Sequence, residues 1–147
     1  MQSPYDDLLM EHIKNARNYR VLDGASDSGR GANALCGDEM TVYVRVENGR
    51  IEDVAFQCSC CGVSMASASI MTEAVLGMSA EEAKGLVTSF AAWVADKDGT
   101  ERRDADSPQG AVVATVRQYP VRSRCAVLPW RTLEAALDGC PDTIYVR

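Results

Sequence analysis

The chain contains 147 residues, of which 46% are hydrophobic and 24% charged, and its net charge at neutral pH is −6. These values predict a globular chain with one sizeable core, organised as a single domain over residues 1–147. The acidic balance disfavours nucleic acid and anionic membrane as partners, because both require a basic surface.

No apolar run approaches the roughly 18 residues that a membrane-spanning helix needs. The N-terminal segment carries Asp6, Asp7 and Glu11 and lacks a basic stretch followed by an apolar one, so it does not resemble a secretory signal. We therefore expect a cytoplasmic location. In that reducing compartment, clustered cysteines bind metals or carry out chemistry more often than they form disulfides.

The first predicted element is a helix over residues 4–15, where apolar residues recur at helical spacing after Ser3-Pro4. It contains His12, the only histidine, which we expect to be packed or capping rather than a ligand. Residues 15–35 are rich in Asn, Gly, Ser and Asp, and they predict a loop with only short extended pieces.

A β-hairpin is predicted over residues 41–57, where two alternating β-branched runs flank Glu47-Asn48-Gly49-Arg50. Asn-Gly favours the type I′ turn of a hairpin because both central positions need positive φ. Since the two arms have similar lengths, the hairpin should bring Cys36-Gly37-Asp38 close to residues 58–61.

Further helices are predicted after the hairpin. The small side chains of residues 63–76 suit a helix packed on the sheet, and we expect its serines to serve packing and hydrogen bonding. The next helix is predicted to begin at the capping box Ser79-Ala80-Glu81-Glu82 and to end at about Ala95. Residues 96–108 predict a charged surface loop.

Residues 109–118 fit either a helix or a buried strand, with helix favoured, and residues 126–137 have helical spacing. Together these elements predict an α+β fold, in which helices cover one face of a small, mostly antiparallel sheet.

By bringing two cysteine-bearing segments together, the hairpin indicates a metal or iron–sulfur site with cysteine ligands. We take Cys36, Asp38 and Cys61 to share one corner, with Cys125 approaching from the last helix. Three thiolates and a carboxylate suit tetrahedral Zn²⁺, and the same thiolates suit a [2Fe–2S] cluster. A carboxylate is a weak partner for soft metals, which indicates a site that opens or exchanges its contents. A purely structural zinc site is the alternative.

Two of these thiols should be reactive. Cys61 and Cys125 each come just before a predicted helix, where the macrodipole and free N–H groups stabilise a thiolate. Cys125 is also flanked by Arg122 and Arg124, and we assign support of its thiolate to Arg124. We therefore expect a lowered pKa for both thiols, which favours metal binding and sulfur transfer alike.

Four segments resemble, in the same order, motifs of the U-type iron–sulfur cluster assembly proteins (the IscU/SufU family). They are residues 11–18, Asn33-Ala34-Leu35-Cys36-Gly37-Asp38, residues 61–69 and residues 119–130. The resemblance runs from roughly Tyr5 to Leu137. The long loop of residues 95–108 and the non-histidine residue Arg124 before the third cysteine are similar to the SufU-like branch.

The resemblance implies that Cys36, Asp38, Cys61 and Cys125 hold a transient [2Fe–2S] cluster or Zn²⁺, with Cys125 and Cys36 as candidate sulfur acceptors. It implies a cysteine desulfurase as sulfur donor, and apo iron–sulfur proteins or downstream carriers as recipients. The implied function is a cluster scaffold, which is not an enzyme. A zinc-dependent sulfurtransferase, which is one, is the alternative, and a structural zinc-binding interaction module is the third interpretation.

Three positions depart from the family pattern. Cys60 stands where the family has glycine before its second cysteine, and Cys58 is also unusual there. These two cysteines are either neutral replacements in a loop, or alternative ligands or sulfur-relay thiols. Ala34 replaces the proline of the motif, which should loosen the turn before Cys36.

Overall fold

The computed structural model describes residues 4–96 and 107–146 and shows an α+β fold with a four-stranded sheet. In chain order the elements are α1 (Pro4–Lys14), β1 (Asp27–Asn33), β2 (Asp38–Glu47), β3 (Arg50–Ser59), α2 (Gly62–Val75), α3 (Ala80–Ala95), α4 (Pro108–Gln118), a 3₁₀ turn (Pro120–Arg122), α5 (Ser123–Leu137) and β4 (Thr143–Val146). The sheet order is β3-β2-β1-β4, with only the β1–β4 pair parallel. The predicted fold class is confirmed.

The predicted hairpin is formed by β2 and β3. Asn48 and Gly49 have φ of 53° and 76°, as a type I′ turn requires. Side chains alternate along β2, so that Met40, Val42 and Val44 are buried beneath the helices while their neighbours face outward. This alternation between the two faces of the sheet fixes the register of β2 against its neighbours, because a slip of one residue would expose Met40, Val42 and Val44.

Strand β1 corrects the expectation of a loop over residues 15–35. It pairs with β2 along its whole length, and its second half, Arg30 to Asn33, also pairs with β4. Strand β1 is therefore a central strand of the sheet. The local cause is close packing against α5: a Cβ at Gly29 would lie 2.6 Å from the backbone of Ala136, and one at Gly31 would overlap the side chain of Thr132. Glycine in a strand is used where another backbone approaches this closely.

Helix α5 occupies the centre of the helical layer and packs on β1, β2, α2 and α3. Its Leu128, Trp130 and Leu133 are almost completely buried, and the Trp130 ring stacks on Phe90 of α3 with centroids 4.6 Å apart. Aromatic burial of this extent contributes strongly to a small core. The position of the first turn of α5 is therefore determined by the core.

The other predicted helices are present with small shifts in their ends. The capping box at Ser79 and Glu82 forms as predicted, and residues 109–118 are helical, which resolves the choice between helix and strand. The last helix begins at Ser123, three residues earlier than predicted. Residues 97–106 of the predicted loop lie outside the described residues. Among the helices of the described part of the chain, none combines the length and apolarity of a membrane span.

Candidate metal centre

Four potential ligands meet at one end of the sheet, and we call them the thiol–carboxylate cluster: Cys36, Asp38, Cys61 and Cys125. A carboxylate oxygen of Asp38 and the Sγ atoms of Cys61 and Cys125 all lie within 4.8 Å of one another. The Sγ atom of Cys36 is 3.9 Å from that of Cys125. Three of the four predicted ligands thus form one potential metal-binding group, and the fourth, Cys36, adjoins this group through Cys125.

Each member comes from a different part of the fold. Cys36 lies in the four-residue turn between β1 and β2, and Asp38 is the first residue of β2. Cys61 is the N-cap residue of α2, and Cys125 lies in the first turn of α5. As predicted from the hairpin, the two arms return to the same edge: the Cys61 N–H donates to Oδ1 of Asp38 at 3.2 Å.

The cluster is buried on one side and open on the other. Cys125 is 0% exposed and Asp38 is 5% exposed, whereas Cys61 is half-buried and Cys36 is exposed. Because thiol exchange depends on access to the sulfur, Cys36 is the thiol of the cluster that an external reagent reaches first.

Asn33 is a residue at the site whose role the sequence analysis missed. Its side chain is buried, and its Nδ2 donates to the Sγ of Cys36 at 3.4 Å and to that of Cys125 at 3.9 Å. Its backbone carbonyl accepts the N–H groups of Cys36 and Gly37, which closes the turn without the proline that Ala34 replaces. Gly37 has φ of 73°, a conformation that suits glycine.

Ser64 of α2 supports both buried ligands. Its Oγ lies 3.1 Å from Oδ2 of Asp38 and 3.0 Å from the carbonyl oxygen of Cys125, and a single hydroxyl proton serves one of them at a time. The carbonyl of Cys125 lacks its ordinary helical partner because residue 129, four positions on, is a proline without an N–H. Ser64 thus replaces a backbone hydrogen bond that Pro129 removes.

The expected pKa of Cys125 is wrong in direction. Burial, followed by the neighbouring Cys61 thiol, raises the pKa of Cys125 to about 12 in the metal-free protein. The contact between the Arg122 guanidinium and the Cys125 thiol opposes this effect and lowers the Cys125 pKa. The helix N-terminus and two nearby arginines were read from the sequence, but burial, which disfavours the thiolate, is a tertiary property.

Arg122, rather than Arg124, is thus the arginine that the structure places against Cys125. Arg124 lines a separate groove between α3, α4 and α5, together with Ala91, Val116 and Val127. Support of the thiolate by Arg124 remains a prediction. The sequence signal for Arg122 was equally strong, since both arginines flank Cys125 in sequence.

Cys58 and Cys60 form a disulfide with each other. This differs from the expectation that the thiols of this chain stay reduced. As a disulfide the pair offers no thiolate, so Cys58 and Cys60 are not alternative ligands in the state that the structure shows. They lie beside Cys61, at the end of β3 and in the connection to α2.

His12 and the serines of α2 behave as the sequence predicted. His12 is buried, and its Nδ1 lies 2.7 Å from the Oγ of Ser69. Burial, and then the charge of Arg17, lowers the pKa of His12. Ser67 accepts from the Trp130 indole at 3.0 Å and donates to the carbonyl of Ala126. These groups satisfy buried polar atoms and do not form a nucleophile.

The donor set fits a tetrahedral metal. Two Zn–S bonds of 2.3 Å at the tetrahedral angle place sulfurs about 3.8 Å apart, close to the 3.9 Å between the Sγ atoms of Cys36 and Cys125. The cluster therefore defines a class of protein: a small α+β protein with a partly open centre of three cysteines and one aspartate.

Comparison with known proteins identifies the family. Residues 4–137 match the family model described as NifU-like N terminal domain, and the chain belongs to this family. It is 31% identical over 135 residues to the iron-sulfur cluster assembly scaffold protein IscU of Thermotoga maritima, covering 90% of this chain and 92% of that protein. It is 33% identical over 133 residues to the zinc-dependent sulfurtransferase SufU of Bacillus subtilis, covering 88% and 86%.

A solved structure agrees with this assignment. FiSufU, from the SUF system of Fervidobacterium islandicum AW-1, is 28% identical to this chain and superimposes with a TM-score of 0.77, over 92% of this chain and 96% of that one. The predicted membership of the IscU/SufU family is thus confirmed. Relatives of both names match at similar identity, so identity by itself does not separate the two branches.

Proposed function

We propose that this protein accepts sulfane sulfur from a cysteine desulfurase at the thiol–carboxylate cluster and, as a scaffold, assembles it with iron for transfer to apo iron–sulfur proteins or carriers. The observation that carries this proposal is the grouping of the Asp38 carboxylate with the Cys61 and Cys125 thiols, which the exposed Cys36 thiol adjoins at 3.9 Å from Cys125. The predicted cytoplasmic location belongs to the same proposal, since free thiolates need reducing surroundings.

The cysteines of the cluster have different roles because they differ in solvent exposure. Cys36 is the exposed thiol and is the first acceptor: its thiolate attacks the outer sulfur of the desulfurase persulfide, and the desulfurase cysteine leaves as a thiolate. Cys125 is buried 3.9 Å away and receives sulfur or iron only from within the cluster. Asn33 donates to both sulfurs and thereby stabilises negative charge on them.

The second candidate function is a zinc-dependent sulfurtransferase, and the carboxylate oxygen of Asp38 beside the Sγ atoms of Cys61 and Cys125 favours it, because zinc accepts sulfur and oxygen ligands together. Cys36, Asp38, Cys61 and Cys125 would hold Zn²⁺, which would keep the thiols deprotonated. Asp38 is the ligand best suited to release, because a carboxylate binds this soft-ligand site more weakly than a thiolate. Release of Asp38 would be favoured by the hydrogen bond that the Cys61 N–H donates to its carboxylate.

One experiment separates the two functions. The protein is incubated anaerobically with a cysteine desulfurase, radiolabelled cysteine and ferrous iron, and then assayed for bound metal, visible absorption and protein-bound sulfur. Sulfide-to-iron charge-transfer bands support the scaffold. Bound zinc with labelled sulfur and without these bands supports the sulfurtransferase. Zinc with neither label nor bands refutes both functions and leaves a structural zinc module.

Asp38→Ala tests the assignment of the exchangeable ligand. We expect faster loss of metal or cluster to a chelator, with the far-ultraviolet circular dichroism unchanged. The matched control is Asp53→Ala, which removes a carboxylate of the same sheet that pairs with Arg20 away from the cluster. Equal metal lability in the two variants would exclude Asp38 as a ligand.

A further inference from the structure

Cys58 and Cys60 form a redox pair whose position next to Cys61 has no use in the proposed function. Cluster assembly requires sulfide, whereas a persulfide carries sulfane sulfur that is two electrons more oxidised. If two cysteines of the thiol–carboxylate cluster supplied these electrons, they would become a disulfide and cease to be ligands. A separate dithiol beside the cluster avoids that conflict.

We propose that reduced Cys58 and Cys60 are a built-in dithiol reductant, which converts sulfane sulfur held on Cys61 into sulfide and ends as the Cys58–Cys60 disulfide. This inference rests on the proposed function, because Cys36 must first receive persulfide sulfur. Thiol exchange then passes the outer sulfur through Cys125, 3.9 Å from Cys36, to Cys61, whose Sγ lies within 4.8 Å of that of Cys125. The disulfide in the structure is the product state of the reaction.

The chain places this pair directly before the cluster ligand Cys61. Cys58 pairs with the buried Met40 across the β2–β3 ladder, and in extended backbone Cys60 lies on the same side as Cys58. Both side chains pack against the edge of the core and are half-buried. Cys60 and Cys61 are joined by a trans peptide bond, so their Cα atoms are about 3.8 Å apart. A persulfide extends the reach of Cys61 by a further S–S bond of about 2.05 Å.

The reaction balances in two exchange steps. The Cys60 thiolate attacks the terminal sulfur of the Cys61 persulfide; the bond from that sulfur to Cys61 Sγ breaks, and Cys61 leaves as a thiolate. The Cys58 thiolate then attacks Cys60 Sγ, and hydrosulfide leaves with the electron pair of the broken S–S bond. Two thiols lose two electrons and form one disulfide, and the sulfane sulfur gains both electrons. The Cys61 ligand is regenerated.

A further turnover requires re-reduction of the disulfide by an external dithiol. Access for this reductant is available at the surface: Ser59, between the two cysteines, is exposed, and β3 is an edge strand of the sheet. The Tyr19 hydroxyl donates to the carbonyl of Cys58 at 2.9 Å, which holds this end of β3 in place while the disulfide forms and breaks.

The test is a single turnover without added reductant. Wild-type protein and the Cys58→Ser/Cys60→Ser double variant are reduced and freed of reductant under anaerobic conditions. Each is then charged by a cysteine desulfurase with one equivalent of cysteine per chain and no iron. Released hydrosulfide is measured colorimetrically, and intact mass and peptide maps report the bound sulfur and the disulfide. For wild type we expect about one equivalent of hydrosulfide per chain and a new Cys58–Cys60 disulfide. The double variant should keep its persulfide and lose hydrosulfide release.

Two further variants sharpen the result. Cys58→Ser should trap the sulfur, because Cys60 can accept it but Cys58, the thiol that expels hydrosulfide, is missing. Cys140→Ser is the matched control and should release hydrosulfide like wild type. Cys140 follows the C-terminal end of α5, a helix about 22 Å long, whereas the cluster lies at the N-terminal end. Equal charging and equal hydrosulfide release by wild type and the double variant would overturn the inference alone. Failure of both proteins to take up sulfur would overturn the proposed function, and this inference with it.

Discussion

Replacing Gly29 by alanine tests whether close contact between β1 and α5 positions the thiol–carboxylate cluster. An added Cβ would lie 2.6 Å from the backbone nitrogen of Ala136 and from the carbonyl oxygen of Thr132. Ordinary van der Waals contact begins at 3.4 Å, so α5 must move by about 0.8 Å or the strand must bend. Neither neighbouring atom belongs to a flexible side chain.

Overpacking of this kind costs about 1 to 3 kcal/mol. For a chain of this length the cost corresponds to a melting temperature lowered by about 3 to 10 °C, measured by differential scanning calorimetry. Because α5 carries Cys125, the same shift should separate its Sγ from that of Cys36 and weaken zinc binding, measured by competition with a chromogenic chelator.

The matched control is Gly85→Ala in the exposed middle of α3, where an added Cβ meets nothing within 4 Å. Alanine is favoured over glycine in a helix by about 1 kcal/mol, so this variant should melt at a higher temperature than wild type and bind zinc equally well. A Gly29→Ala protein that melts and binds zinc like wild type would refute the packing of β1 against α5.

Three other changes give separate readouts. Lowering the pH from about 8 to about 5 should reduce the free energy of unfolding, because burial lowers the pKa of His12 in the folded protein. As the pH falls through the ordinary histidine pKa of 6.5, the unfolded chain takes up a proton before the folded chain does. In urea denaturation, His12→Gln should make the free energy of unfolding less dependent on pH in this range. Ser67→Ala should cost about 1 to 3 kcal/mol in the same urea assay, since it leaves the buried indole N–H of Trp130 without an acceptor, and an unchanged midpoint would contradict that contact. Asn33→Ala should weaken zinc binding about tenfold or more in the chelator assay through loss of its hydrogen bonds to two cluster thiols, whereas Asn15→Ala, at an exposed amide, should leave it unchanged.

The sequence was informative wherever a short-range rule operates. Asn48-Gly49 has the backbone preference of a type I′ turn whatever surrounds it, so the hairpin and the return of its two arms were predictable. Capping of α3 by Ser79 and Glu82 is local in the same sense. The contact between Asp38 and Cys61 followed from the hairpin alone.

Strand β1 was missed for a physical reason. Its sequence, with Gly29 and Gly31 in alternation, has low intrinsic strand preference, and it becomes a strand because β2 and β4 supply hydrogen bonds on both edges. The glycines that mimic a loop in sequence are required by the helix that covers the strand.

The sequence by itself therefore determined the class of fold and proposed four candidate ligands, because turn chemistry, helix spacing and ligand chemistry are properties of neighbouring residues. Only the tertiary structure decided that Cys125 is buried with a raised pKa while Cys36 is exposed, and that Arg122 contacts the buried thiol. It also decided that Cys58 pairs with Cys60. The burial of each thiol and its neighbours set its exposure and its pKa, and both depend on how elements distant in sequence pack around α5.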